Sequence, residues 1–372
     1  MVNRIRQIAA LGQAIWLDYI SRDLVRSGQL SALIDEGVTG VTSNPTIFQK
    51  AISGSAIYDD DIRRLAREGK STEEIYEALA LADVGEAADC LRSVYNETHG
   101  RDGFVSIEVS PKLAHDTEGT IAEARRLATA LNRPNVMIKV PATEAGLPAI
   151  TELLSQGTNV NVTLIFANSM YEKVIEAYLE GLRRFRDSGR PLGLIASVAS
   201  FFVSRVDTLT DKVLQHRIEH GEPHLETLYG RAAVANAKVA YGRYKSVFES
   251  EGFEELRVAG ARPQRPLWAS TSTKNPDYLD TKYIDPLIGV NTVNTVPPQT
   301  LDAIRDHAVT AQTIEDDLAQ AEATFEELAG IKVDMDWVTS SLLEEGVQKF
   351  IDSFDKLLAD IDTKRDKLQQ PA

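Results

Sequence analysis

Apolar and polar positions alternate along eight short stretches of this chain, and between them the apolar spacing changes to the three-and-four step of a helix. Residues 13–19 predict a first strand, with Ile15, Leu17 and Tyr19 on one face and Trp16 and Asp18 on the other. Residues 21–36 predict a helix capped by Ser21 and stopped at Gly37, with a stripe of Leu24, Leu30, Leu33 and Ile34. Residues 38–44 form the second strand, and Pro45 ends it. The stretch to Asp102 is too long for one crossover helix and predicts a helical insertion over about 46–102. Asp59, Asp60 and Asp61 suit a helix start, where negative charge is favoured, better than a metal site.

The third strand, 103–110, sets Val105, Ile107 and Val109 against Ser106 and Glu108, and a helix follows over 117–131. The fourth lies in Asn135-Val136-Met137-Ile138-Lys139-Val140-Pro141-Ala142-Thr143 and puts Met137 and Lys139 on one face. After a helix at 144–155, the fifth strand, 159–166, has the cleanest alternation: Val160, Val162 and Leu164 against Asn159, Asn161 and Thr163. Helix 169–188, strand 192–200, helix 201–217, helix 225–251, strand 265–271 and strand 291–296 complete the series. Three or four helices are expected after Pro298, over about 310–366, with breaks at Gly330 and Gly346 and a loose end over 367–372.

Strands alternating with helices at these spacings predict a parallel α/β architecture. A closed (β/α)8 barrel is favoured over a doubly wound open sheet, with residues 1–372 as one domain carrying the insertion and the terminal helices. The reason is where polar residues fall. Asp18, Asn44, Glu108, Lys139, Asn161, Thr163, Ser200 and Ser270 all sit toward the carboxyl ends of predicted strands, where a barrel gathers them at one mouth.

Lys139 carries the sharpest chemical hint. Lysine is depleted in strands and rarely buried unpaired, so a structural ion pair is one reading. Covalent carbonyl chemistry is the other, because a neutral amine attacks a ketone to form a Schiff base. A free lysine, with a pKa of about 10.4, is under roughly 0.1% neutral at pH 7, so a catalytic site must supply a shift of about three units. Glu108 works against this: a carboxylate about 6 Å away at an effective dielectric of 20 would favour the ammonium by roughly 2.8 kcal/mol. Burial must outweigh that, or the acid must be protonated or separated by water.

Composition narrows the function classes. Forty basic against 55 acidic residues give a net charge of −15, the wrong sign for nucleic-acid binding through phosphate neutralisation. No run approaches the roughly 18 apolar residues of a membrane span, and no signal peptide is readable at the amino terminus. The single cysteine, Cys90, forms no internal disulfide and suits a reducing compartment, so a cytoplasmic location is expected. His216, His220 and His224 are spaced for a metal face, but Gly221 and Pro223 interrupt it, and an exposed helix end is the expectation. Asn161-Val162-Thr163 matches a glycosylation sequon only by coincidence.

Four motifs, in order and at strand ends, resemble the transaldolase family in its longer bacterial form: Gly40-Val41-Thr42-Ser43-Asn44-Pro45-Thr46, Ile107-Glu108-Val109-Ser110, Ile138-Lys139-Val140-Pro141-Ala142-Thr143 and Asn161-Val162-Thr163-Leu164. The resemblance runs from about Ile5 to the terminal helices. It implies a TIM barrel that moves a dihydroxyacetone unit between phosphorylated sugars of the pentose phosphate pathway, without metal or organic cofactor. Lys139 would be the Schiff-base lysine, with Glu108 and Thr163 positioning a water and Asp18 taking the C4 hydroxyl proton. Asn44 and Asn161 would hold the dihydroxyacetone hydroxyls, and Ser200 would line their pocket. Arg205 matches the phosphate arginine; where many relatives have a second arginine, this chain offers Ser270 and Lys274. The terminal helices would cover the enamine. A related aldolase releasing free dihydroxyacetone, or a catalytically silent metabolite-binding barrel, are the other readings. Oligomeric state carries no sequence signal.

Overall fold

The computed structural model describes residues 3–369 and closes eight parallel strands into a barrel in chain order. The strands are β1 (Gln13–Leu17), β2 (Val38–Thr42), β3 (Phe104–Glu108), β4 (Val136–Pro141), β5 (Val160–Ile165), β6 (Ser197–Phe202), β7 (Arg265–Ala269) and β8 (Thr292–Val296). Closure comes from β8 pairing with β1, Thr292 opposite Gln13 through Val296 opposite Leu17. Buried on both sides, these strands place aliphatic residues outward against helices and a second set inward.

The interior is filled in layers. At the floor, Trp16 lies so close to Gly40 that a Cβ there would meet the indole at 2.5 Å, so only glycine fits. The indole Nε1 donates to Asp102 at 2.9 Å, and Arg265 pairs with the same carboxylate at 3.1 Å. Above this plug the inward residues become polar toward the strands' carboxyl ends, where Glu108, Lys139 and Asn161 stand side by side on β3, β4 and β5.

The insertion folds as helices Pro45–Ser53, Asp59–Arg67, Thr72–Cys90 and Arg92–Glu97. A buried network ties it to the barrel: Arg22 Nε donates to Asp83 at 2.9 Å and Tyr58 donates to Asp83 at 2.8 Å. The last helix, Met335–Gln369, crosses the carboxyl-end mouth and packs on Pro45–Ser53, with Thr46 donating to Ser353 and Gln49 and Ser53 to Asp360.

Several expected elements differ, each for a local reason. Helix 21–36 is two helices, because Gly28 turns left-handed (φ +82°) between Arg22–Arg26 and Gln29–Glu36. The second strand stops at Thr42, and Asn44 instead caps the next helix, its Oδ1 accepting from the Ile47 N–H at 3.0 Å. Phe201 and Phe202 remain in β6, which begins at Ser197 after a 3-10 turn at Leu192–Leu194. The expected helix 225–251 divides into a 3-10 turn, Pro223–Leu228, and the helices Ala232–Phe248 and Glu251–Val258. His216 and His220 stack at 4.3 Å near an exposed helix end, while His224 falls in that 3-10 turn.

Two departures bear on the site. Leu164 leaves the alternation of β5: its φ of +59° and a register shift against β6 form a bulge. Gly346 is no break, for the terminal helix runs through it, and a Cβ there would lie 3.0 Å from Leu164 Cδ2 and 3.7 Å from Arg205 Nη1. Residues 367–369 belong to that helix, and 370–372 lie outside the described residues.

Candidate active site

A cavity of about 410 Å³ opens at the carboxyl ends of the strands. Asp18, Asn44, Lys139, Thr163, Ser200 and Arg205 line it, with Ser270 and Lys274 toward its outer wall. Two predicted residues do not. Asn161 is fully buried behind the wall, and Glu108 borders a neighbouring cavity.

The lysine is held from two sides. Its Nζ donates to the Ser43 carbonyl at 3.1 Å and stands 3.7 Å from Glu108 Oε2, both side chains being about 5% exposed. Burial pushes the Glu108 carboxyl up to about 7, against the opposing pull of Lys139 and with a smaller push from Asp18. Glu108 can therefore both give and take a proton near neutrality. Thr163 Oγ1 and Glu108 Oε2 are buried without a protein hydrogen-bond partner among the described residues. Such orphaned groups need water or substrate to satisfy them.

Asp18 sits across the mouth, its backbone N–H bonded to the Val296 carbonyl at 2.8 Å. Burial raises its carboxyl above the usual range; Lys139, the Thr42 hydroxyl, Lys274 and Arg205 pull it back. Thr42 donates to Asp18 Oδ1 at 2.7 Å and lies 2.7 Å from Thr295 Oγ1. Asn161 is locked between serines, donating to Ser106 at 3.0 Å and accepting from Ser200 at 2.6 Å. That fixes which way its amide faces and leaves one N–H to offer. Capping spends the Asn44 oxygen, so its NH2 is the group left for a ligand.

The outer wall is cationic. Burial lowers the Arg205 guanidinium, which lies 5.4 Å from the Phe202 ring centre with Nη1 unpartnered among the described residues. Lys274, more exposed but set in the concave wall, is lowered first by desolvation and then by the like charge of Arg205. It donates to Ser272 at 2.6 Å, and Ser270 (φ +54°) meets Ser204 at 3.1 Å. Two cations that repel each other beside hydroxyls can attract an anion. Sequence reasoning missed Thr42, Ser106, Thr295, Ser272, Lys50 and Phe350 as parts of this mouth. Inward alternation pointed to Thr42 and Ser106, whereas Lys50 and Phe350 arrive from helices that sequence cannot dock.

Fold and site together define a class: a (β/α)8 enzyme with a buried lysine among acids, amides and hydroxyls at the catalytic end of the barrel. The family model described as Transaldolase/Fructose-6-phosphate aldolase matches residues 15–361. Proteins named transaldolase from Trichodesmium erythraeum and Saccharopolyspora erythraea are 46% and 48% identical to this chain, covering 99% of it and 99% and 98% of their own lengths. That of Acidothermus cellulolyticus is 50% identical over 96% of both chains. The chain belongs to the transaldolase family.

Proposed function

We propose that this chain is the transaldolase of a non-oxidative pentose phosphate pathway, transferring a dihydroxyacetone unit from a ketose phosphate to an aldose phosphate with Lys139 as nucleophile. The donors are sedoheptulose 7-phosphate or fructose 6-phosphate, and the acceptors glyceraldehyde 3-phosphate or erythrose 4-phosphate. The observation carrying this reading is the Lys139–Glu108 pair, an amine 3.7 Å from a carboxyl titrating near 7.

In this reading Arg205 and Lys274 take the phosphate, with Ser270 beside them, and the sugar extends inward to Lys139. The amine adds to C2; the C2–O bond then breaks as C=N forms, while Glu108 protonates the departing hydroxyl, with Thr163 holding the water so made. Asp18 removes the C4 hydroxyl proton, and electrons of the C3–C4 bond flow into the iminium, leaving an enamine rather than a free carbanion. Asn44 holds a retained hydroxyl at the cavity wall, Asn161 supports that wall from behind with its remaining N–H turned to the second hydroxyl, and Ser200 serves through its bond to Asn161. Phe350, from the terminal helix, contributes an apolar wall that protects the enamine from water. We read residues 1–372 as one domain and the location as cytoplasmic; among the described residues no helix is long and apolar enough to cross a membrane.

Borohydride trapping with fructose 6-phosphate tests the proposal. Label is expected on the peptide containing Val136 to Thr143, and turnover should depend on an acceptor aldehyde. Lys139→Met should lose both label and activity while keeping its fold, since an apolar chain of similar length replaces the buried amine and leaves little void. Label on another lysine, or normal turnover by the variant, refutes it.

A further inference from the structure

Glu108 borders a second cavity of about 280 Å³, which shares no lining residue with the one that Lys139 lines. The two carboxylate-side facts conflict with a single-chamber picture. Lys139 reaches the sugar cavity, yet its proton partner 3.7 Å away belongs to the wall of another space. That space lies beneath the terminal helix. Phe354 and Leu358 roof it, Ala80 and Tyr76 come from helix Thr72–Cys90, and its rim carries the exposed Glu73 and Lys112. Its wall is polar enough for water: Glu77, Glu123 and Arg126 join Glu108, and Glu123 accepts from the Ser110 N–H at 3.1 Å. The volume is several times the ~30 Å³ that a liquid water molecule occupies.

Schiff-base chemistry creates a traffic problem that this arrangement solves. Carbinolamine breakdown converts the C2 hydroxyl and a Glu108 proton into one water, one iminium and a carboxylate. Hydrolysis at the end consumes one water and returns the proton. At both moments sugar fills the main cavity, and the phosphate cations Arg205 and Lys274 stand at its outer wall. Resting on the transaldolase reading, we infer that the cavity behind Glu108 is the water passage of the reaction, exchanging the expelled C2 oxygen with bulk solvent while sugar occupies the mouth. Glu123 and Tyr76 are then positioning residues of that passage, and Ala80 and Leu358 its gauge.

The test follows oxygen rather than rate. Donor fructose 6-phosphate labelled with 18O at C2 is turned over with erythrose 4-phosphate, and the label in C2 of the seven-carbon product is read by mass spectrometry, corrected for spontaneous exchange. The unmodified enzyme should return product almost free of label. Ala80→Leu and, on the terminal helix, Leu358→Trp should narrow the passage and raise the retained fraction at least fivefold, because trapped water is reused. A merely structural defect slows turnover without changing where the oxygen comes from. Product from the unmodified enzyme that keeps its label, or two folded variants that lose label as completely as the unmodified enzyme, would overturn the inference. Borohydride trapping at Lys139 in the same samples keeps the two ideas apart: label on Lys139 with unchanged oxygen loss defeats the passage alone, whereas no adduct in the unmodified enzyme defeats both.

Discussion

A carboxyl titrating near 7 beside a buried amine has consequences for stability as well as catalysis. Glu108 rises from an ordinary 4.5 to about 7 chiefly through burial. Between those values the folded protein keeps a proton that the unfolded chain has lost, so this group makes stability fall as pH rises through that window. The penalty at pH 8 is bounded by about 3 kcal/mol. Glu108→Gln should therefore flatten urea-derived stability between pH 5 and pH 8. The same variant should lose the limb near pH 7 from the kcat profile and fall by roughly 10²–10⁴ in kcat, since an amide cannot shuttle protons. A wild-type limb in that variant would remove Glu108 from proton transfer. Asp18 is separable, because carbinolamine chemistry does not need it: Asp18→Ala should still be trapped by borohydride yet turn over at least tenfold more slowly. Near-normal turnover would point to another base. The positions of these two acids were readable, because period-two alternation needs only local sequence. Their environments were not, because Thr42, Thr295, Ser106 and the cavity behind Glu108 depend on neighbouring strands and on a helix hundreds of residues away.

At the scale of elements, β5 touches the terminal helix directly. The left-handed turn at Leu164, one residue past Thr163, throws its side chain against Gly346, and the Arg205 guanidinium lies beside the same glycine. Gly346 was legible as a glycine but misread as a break, since sequence does not say whether a missing Cβ serves backbone freedom or space. Here it serves space within a continuous helix, at a position where Ala would otherwise be favoured by about 1 kcal/mol. Phe350, one turn further, lines the sugar cavity, so displacement at Gly346 is carried to the cover. Gly346→Leu should push the helix outward from Leu164 and Arg205. We expect the apparent KM for phosphorylated donor to rise at least fivefold with the Schiff base still trappable; an unchanged KM would show that the helix does not tune the phosphate wall. Barrel order and strand identity were readable from alternation and crossover length. The split of helix 21–36 at Gly28 and the early end of β2 were not, because single-residue backbone choices decide them.

At the scale of the whole molecule, a chain of net charge −15 must admit a sugar carrying a phosphate of about −2. Two electrostatic effects oppose each other, and their ranges decide which responds to salt. A folded chain of this length has a radius of gyration of roughly 21 Å. Placing the net charge at that distance in water gives a repulsion of about 6 kcal/mol, an upper bound because real charges are spread and mixed in sign. With the Debye length falling from about 30 Å at 0.01 M to about 8 Å at 0.15 M, roughly half of that repulsion survives at low salt and under a tenth at physiological salt. In the proposed binding mode, attraction of the phosphate to Arg205 acts over contact distances in a partly desolvated wall, where mobile ions screen much less. Salt therefore removes the distant repulsion before it weakens the local grip. We expect kcat/KM for fructose 6-phosphate to rise at least twofold across that range of sodium chloride. In Arg205→Ala the rise should persist while KM stays high at every salt concentration, because the background is intact and the grip is gone. A steady fall of kcat/KM with salt in the unmodified enzyme would mean that cations at the mouth steer the substrate at long range and that the acidic surface is too dispersed to matter.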